Sequence, residues 1–147
     1  MGGKSEVITQ IPLIWKDDPR FSATFIRTEL GQLMGSEGLW DKSSKYYPLF
    51  NAKSKLHPNP MYIFPSGAKI RFKQIANQTD AEKQRGSGHS AILCDECTQN
   101  DKESVQFLLT CLRSEAKMNS IFIGTCNPDR NSWVFDVVEW YLDDKGY

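Results

Sequence analysis

The stretch that most limits how this chain can fold is Ser90-Ala91-Ile92-Leu93-Cys94-Asp95-Glu96. A short apolar run that ends abruptly in two carboxylates reads as a buried strand with paired acids at its C-terminal tip, the end where open α/β sheets place their chemistry. The pattern is of the Walker B type. Asp95 would hold Mg²⁺ through its water shell, and Glu96 would point at the water that attacks a γ-phosphate.

An apolar run before Asp-Glu carries little weight alone, and two further stretches support it. Gly2-Gly3-Lys4-Ser5 is the last part of G-x-x-x-x-G-K-[ST], a loop whose backbone N–H groups cradle phosphates. Within it Gly2 and Gly3 would let the backbone approach the nucleotide, Lys4 would reach the β- and γ-phosphates, and the Ser5 hydroxyl would ligand Mg²⁺. The same four residues also have the composition of a linker scar, and that reading stays open here. Downstream, Gly124-Thr125-Cys126-Asn127-Pro128 follows a second apolar run, and its polar trio can sense a γ-phosphate or orient water beside the metal. Together the three stretches point to an ATP-driven motor. The first glycine of the loop and its feeding strand precede Gly2 and are missing from the sequence, so residues 1–147 are expected to be an N-terminally truncated domain. In folds of this type that strand is expected in mid-sheet, so its loss would leave two neighbours with unpaired backbone.

Composition narrows the classes. The 147 residues are one domain's worth, and formal net charge is zero, so the field of the whole chain does not draw in nucleic acid. Any such contact must be local. No window approaches the ~20 apolar residues of a membrane span, and an N-terminus bearing Lys4 and Glu6 lacks the apolar core of a signal peptide. No membrane partner is expected. Cys94 and Cys97 have C-x-x-C spacing, which admits a zinc or redox reading with His89 close by, beside the plainer one of reduced, packed thiols.

In chain order, Glu6 to Trp15 has helical apolar spacing with a kink or early end at Pro12. Ala23 to Arg27 reads as a buried strand, with Thr28 capping a helix that carries Leu30, Leu33 and Met34 until Gly35 and Gly38 loosen the pattern. Arg27 at that strand's tip suits either a phosphate contact or an ion pair with a neighbouring acid. From Lys42 to Lys55, four lysines interleave with Tyr46, Tyr47 and Phe50, a pattern that fits nucleic-acid stacking or a solvated segment with its aromatics turned inward. Residues 61–74 are predicted to form a β-hairpin turning at Ser66-Gly67, with Lys69, Arg71 and Lys73 on one exposed face that could touch DNA or, by default, guards an edge strand. A short helix is expected over Gln78 to Gln84. Arg85 on a glycine-rich loop could swing to a phosphate in its own site or a neighbour's, or sit in solvent. His89 is expected to be hydrogen-bonded and structural. Glu103 to Leu112 is an amphipathic helix, Ile121 to Gly124 a buried strand, and Ser132 to Leu142 a helix whose Trp133, Val137, Trp140 and Tyr141 should pack in the core.

Alternating strands and helices carrying these motifs in this order specify an α/β, P-loop NTPase-type sheet, mostly parallel and flanked by helices. The chain resembles the ATPase domain of the large terminase subunit of tailed bacteriophages, the motor that packages DNA into procapsids. The resemblance rests on Gly2-Gly3-Lys4-Ser5, on Arg85-Gly86-Ser87-Gly88-His89-Ser90 leading into Ile92-Leu93-Cys94-Asp95-Glu96, and on Gly124 to Asp129 followed by Ser132-Trp133. It implies ATP and Mg²⁺ as cofactors, Glu96 as the residue activating water, and Arg85 as a finger on the adjacent subunit's ATP. Thr125, Cys126 and Asn127 would couple hydrolysis to movement of double-stranded DNA. It also implies a homo-oligomeric ring on the procapsid in the host-cell cytoplasm, with portal protein and small terminase subunit as partners. The family's nuclease domain should follow the ATPase domain and is absent from 1–147, so this fragment is expected to be weak or inactive alone. A helicase or recombination translocase is the alternative motor, and a catalytically inactive fragment the alternative to a motor.

Overall fold

The computed structural model of the chain describes residues 3–142. Six strands form one continuous sheet, and their order explains where the chemistry falls. The strands are β1 (Ser22–Arg27), β2 (Lys53–Lys55), β3 (Met61–Ile63), β4 (Lys69–Gln74), β5 (Ala91–Cys94) and β6 (Ile121–Gly124), arranged β2-β3-β4-β1-β5-β6. β4, β1, β5 and β6 run parallel, while β2 and β3 add an antiparallel flank. The parallel strands therefore share one C-terminal edge, where Arg27, Asp95 and Thr125 emerge.

Local chemistry accounts for the elements. Helix α1 (Gly3–Gln10) gives way to a tight 3₁₀ turn over Ile11–Trp15 because Pro12 has no N–H for the helical ladder. The hairpin of β3 and β4 turns where expected. Gly67 adopts a φ of 101°, which a side chain would strain, and its N–H donates to the Phe64 carbonyl at 2.9 Å. Helix α4 spans Gln78–Glu82, and α5 (Lys102–Thr110) is capped by Asp101, whose carboxylate accepts from the Ser104 N–H at 2.9 Å. Helices α2 (Leu30–Met34) and α3 (Leu39–Ser43) are joined by a close turn.

Two apolar clusters cover the two faces of the sheet. One gathers Phe21, Phe25, Tyr47, Tyr62, Phe64 and Phe72 beneath α1 and α3; Phe25 and Phe72 stack with ring centroids 5.2 Å apart. The other packs Ile26, Ile92, Val105 and Leu108 under α4 and α5. Each fully buried Ile, Leu or Phe contributes roughly 1.5–3 kcal/mol. Among the described residues no helix is long and apolar enough to cross a membrane.

Four expectations are corrected. Thr28 does not cap α2: Glu29 holds the N-cap position without a side-chain bond, and the Thr28 hydroxyl donates to Gln99 Oε1 instead. β4 is interior, paired to both β3 and β1, so its lysines and arginine do not guard an edge; the edge is the short, wholly exposed β2, a strand with no sequence signal. β6 is half-buried because it is the opposite edge. The final aromatic stripe is mostly not core. Helix α6 (Trp133–Val138) and a 3₁₀ turn lie beyond β6, where no layer covers them, so Trp140 and Tyr141 are about three-quarters exposed and only Trp133 packs inward.

His89 is structural, as expected. It is buried just before β5, with its Nδ1 2.8 Å from the Thr24 hydroxyl. Burial, reinforced by the positive charges of Arg71 and Lys73, pushes its pKa down to about 4. A base whose pKa is depressed on folding from about 6.5 loses stability as pH falls between the two values, because only the unfolded chain then takes up the proton. Urea unfolding should show roughly 2 kcal/mol less stability at about pH 5 than at pH 7 from this group, and His89→Gln should flatten that slope. An unchanged slope in the variant would refute the assignment.

Candidate functional site

Five side chains converge at the shared C-terminal edge, although the sequence scatters them over more than a hundred residues. The carboxylate of Asp95, only 3% exposed, lies at their centre. Its Oδ1 accepts from the Thr125 hydroxyl at 2.6 Å, and the Ser5 hydroxyl donates across both oxygens at 3.1–3.2 Å. Arg27 closes the far side with Nη1 2.5 Å from Oδ2, and Gln32 Oε1 holds the same guanidinium from behind. Of the two readings open for Arg27, the structure thus shows the ion pair, and its partner is the strand-tip acid itself.

Lys4 reaches over the tip of β6. Its Nζ donates to the Cys126 carbonyl at 2.7 Å and to Asn127 Oδ1 at 2.5 Å. Thr125 locks the two tips together, since its N–H donates to the Cys94 carbonyl and its carbonyl accepts from the Cys97 N–H. Between them Glu96 takes a left-handed conformation, φ 54° and ψ 52°, with its N–H 3.3 Å from the Thr125 hydroxyl. A non-glycine residue held there costs of order 1–3 kcal/mol and marks a backbone fixed by its surroundings. Glu96 is half-buried and lines a hollow of about 280 Å³ together with Ser5, Arg27 and Asp95.

The sequence matches the family described as terminase large subunit, T4likevirus-type, N-terminal, over residues 3–146. The chain belongs to that family. The solved structure of the large terminase from the thermophilic bacteriophage D6E (crystal form 2) has the same fold, with a TM-score of 0.70 at 14% identity over 93% of this chain. The match covers 34% of that terminase, so the chain spans about a third of its length. No match to a curated protein sequence was found.

In this terminase chain Lys4, Ser5, Asp95, Glu96, Thr125, Cys126 and Asn127 thus meet at one edge, with Gly3 as the first residue of α1. Gly2 lies outside the described residues. Arg85 is elsewhere. Its loop precedes β5, so the four residues of that strand, about 13 Å of rise, separate it from the acids, and its guanidinium sits 5.3 Å from the centre of the Phe107 ring. Cys94 and Cys97 of the C-x-x-C are buried, and the Cys94 thiol, raised by its contact with Cys97 and by burial, donates to Asn100 Oδ1.

Sequence reasoning passed over the turn between α2 and α3, whose Ser36 and Glu37, with Lys42 of α3, complete the hollow beside Glu96. The signal was present in its glycines. A Cβ on Gly35 would stand 2.3 Å from the Gly31 carbonyl oxygen, and one on Gly38 2.8 Å from that of Gln32, so both positions require bare backbone.

Proposed function

We infer that this chain is part of a DNA-packaging ATPase that binds MgATP at the Lys4–Asp95–Asn127 edge and hydrolyses it to translocate double-stranded DNA into a procapsid. The observation that carries the reading is the convergence of a lysine, a serine hydroxyl and a buried carboxylate at the N-terminus of an eight-residue helix, beside a second carboxylate facing a hollow. Helix N-termini favour phosphate, and hydroxyl and carboxylate oxygens are the donors that Mg²⁺ takes. The donor set fits that ion. Bound there, Mg²⁺ would neutralise charge on the β- and γ-phosphates.

The chain's own residues supply the remainder. Lys4 would exchange its bonds to Cys126 and Asn127 for phosphate oxygens, releasing the tip of β6 as nucleotide arrives. Glu96, held by its left-handed backbone, would orient and deprotonate the attacking water. Thr125, bonded to both acids' segment and to Lys4's partners in sequence, would carry the change outward as the coupling motif. Arg85, distant from this edge, suits action on the nucleotide of an adjacent subunit in a homo-oligomeric ring. The portal protein and small terminase subunit in the host-cell cytoplasm are the partners this role calls for.

Thermal unfolding with and without MgATP tests the reading. At about 100 times its Kd, a ligand specific for the folded state adds roughly 2.7 kcal/mol, which should raise Tm by about 5–10 °C in a domain of this size. Lys4→Ala should abolish the shift. A shift that survives in Lys4→Ala, or none in the folded wild-type chain, would exclude nucleotide binding at this edge.

A further inference from the structure

The opposite edge of the sheet holds a second polar hollow that the nucleotide reading does not use. At the N-terminal ends of β4, β1 and β5, a cavity of about 390 Å³ is lined by Arg20, Lys69, Arg71 and Arg113, with Ser22 and Ser90 at its floor. Strand register produces this. Ser22 lies opposite Lys69 and Thr24 opposite Arg71, so the parallel strands bring two cations of β4 to the same mouth as the hydroxyls of their neighbours. Arg20 enters from the turn before β1, and Arg113 from the segment after α5, anchored by its N–H to the His89 carbonyl at 2.8 Å.

The charge balance there is unusual for a chain of zero net charge. Four cations line the hollow against one carboxylate, Glu115, and among the described residues none of the four has a carboxylate within ion-pair distance. Arg71 donates to the Ser22 hydroxyl at 2.7 Å, and the other three are exposed. Of the four, Arg71 also helps to lower the pKa of the buried His89 beneath the hollow, after the larger effect of burial itself. Four cations held near one another outnumber the neighbouring acids, Glu115 in the lining and Asp18 beside Arg20, so they raise the local potential, and that repulsion is relieved by a multivalent anion. The hollow contains Arg forks, hydroxyls and the glycine backbone of Gly88, and its one aromatic, Phe21, is buried, so no ring is offered for a base to stack on. That is the equipment for phosphate oxygens, read without sequence.

We propose that this basic mouth is a contact site for the phosphodiester backbone of duplex DNA, separate from the nucleotide edge and on the opposite end of the sheet. It operates without ATP and so stands or falls independently of the hydrolysis reading. The test is fluorescence anisotropy of a labelled duplex of about 20 base pairs across a salt series, without nucleotide, for the full chain and for Lys69→Gln/Arg113→Gln. Both positions are exposed, so the fold should tolerate the change, and Tm reports whether it does. Loss of two phosphate contacts should lower the slope of log K against log salt by about 1.8. The charge-matched control, Lys53→Gln/Lys55→Gln on the exposed β2 strand, should leave the slope unchanged. Pyrophosphate, followed by NMR shifts of the Ser22, Gly88 and Ser90 amides, gives the second arm. Equal slopes for the folded double variant and wild type would overturn the proposal. If pyrophosphate shifts those amides while duplex affinity is equal in both, the site takes a free phosphate and the DNA assignment fails. A slope loss as large in the β2 control would reduce the effect to diffuse charge and likewise overturn it.

Discussion

Glu96→Gln is expected to reduce ATP turnover by about 10²–10⁴-fold in the complete terminase while leaving nucleotide affinity within a few-fold of wild type. The amide is nearly isosteric, so the left-handed backbone and the bond from the Glu96 N–H to Thr125 should persist; what is lost is a carboxylate able to take a proton from water. Glu96 is suited to this because, unlike Asp95, it has no ion-pair partner among the described residues and faces a hollow. Asp95, in contrast, is enclosed by Ser5, Thr125 and Arg27, which already occupy its oxygens. Steady-state hydrolysis alongside titration with a fluorescent ATP analogue separates the two effects. Full turnover in the variant would remove Glu96 from the mechanism.

The second large effect should appear as stability. Arg27 and Asp95 form a buried ion pair, with the arginine side chain about a tenth exposed and the aspartate less. Removing one partner from such a pair leaves an uncompensated charge in the interior, which costs about 3–5 kcal/mol. Arg27→Ala should therefore lower Tm by about 10 °C or more. The companion Arg27→Met/Asp95→Asn should recover most of the loss, since it removes both charges and keeps the volume. A single variant within about 1 kcal/mol of wild type would mean that water or Ser5 and Thr125 already compensate Asp95. The pair also has a functional side. Arg27 and Gln32 bind the acid to α2, so the hollow beside Glu96 cannot widen there without breaking this contact.

Much of this was readable in the chain, and the misses share a cause. Ala91 to Cys94 with its two acids, the turn at Ser66-Gly67 and the helix stop at Pro12 are set by residues adjacent in sequence, where strand, turn and proline chemistry act locally. Pairing order is not local. Nothing in the alternation of Lys69 to Lys73 tells whether β4 lies inside a sheet or at its edge, and the three exposed residues of β2 become a strand only because β3 presents them an open ladder. Periodicity likewise shows that Trp133 and Trp140 belong to one helical segment, but not that the sheet ends before it can cover the second. In the site, the residue types of Lys4, Ser5, Asp95 and Asn127 pointed to phosphate chemistry. The partner of Arg27 could be reached only through the parallel register of β1 with β5.

The bond from Lys4 to Asn127 joins residues 123 positions apart, and Ser5 meets Asp95 across 90. Contacts of such long range must bear the loop-closure entropy before they return any energy, so they form late in folding. During synthesis from the N-terminus, Lys4 and Ser5 leave the ribosome long before the strand tips they will touch. The bond from Lys4 to Asn127 therefore cannot form on a nascent chain that stops short of Asn127.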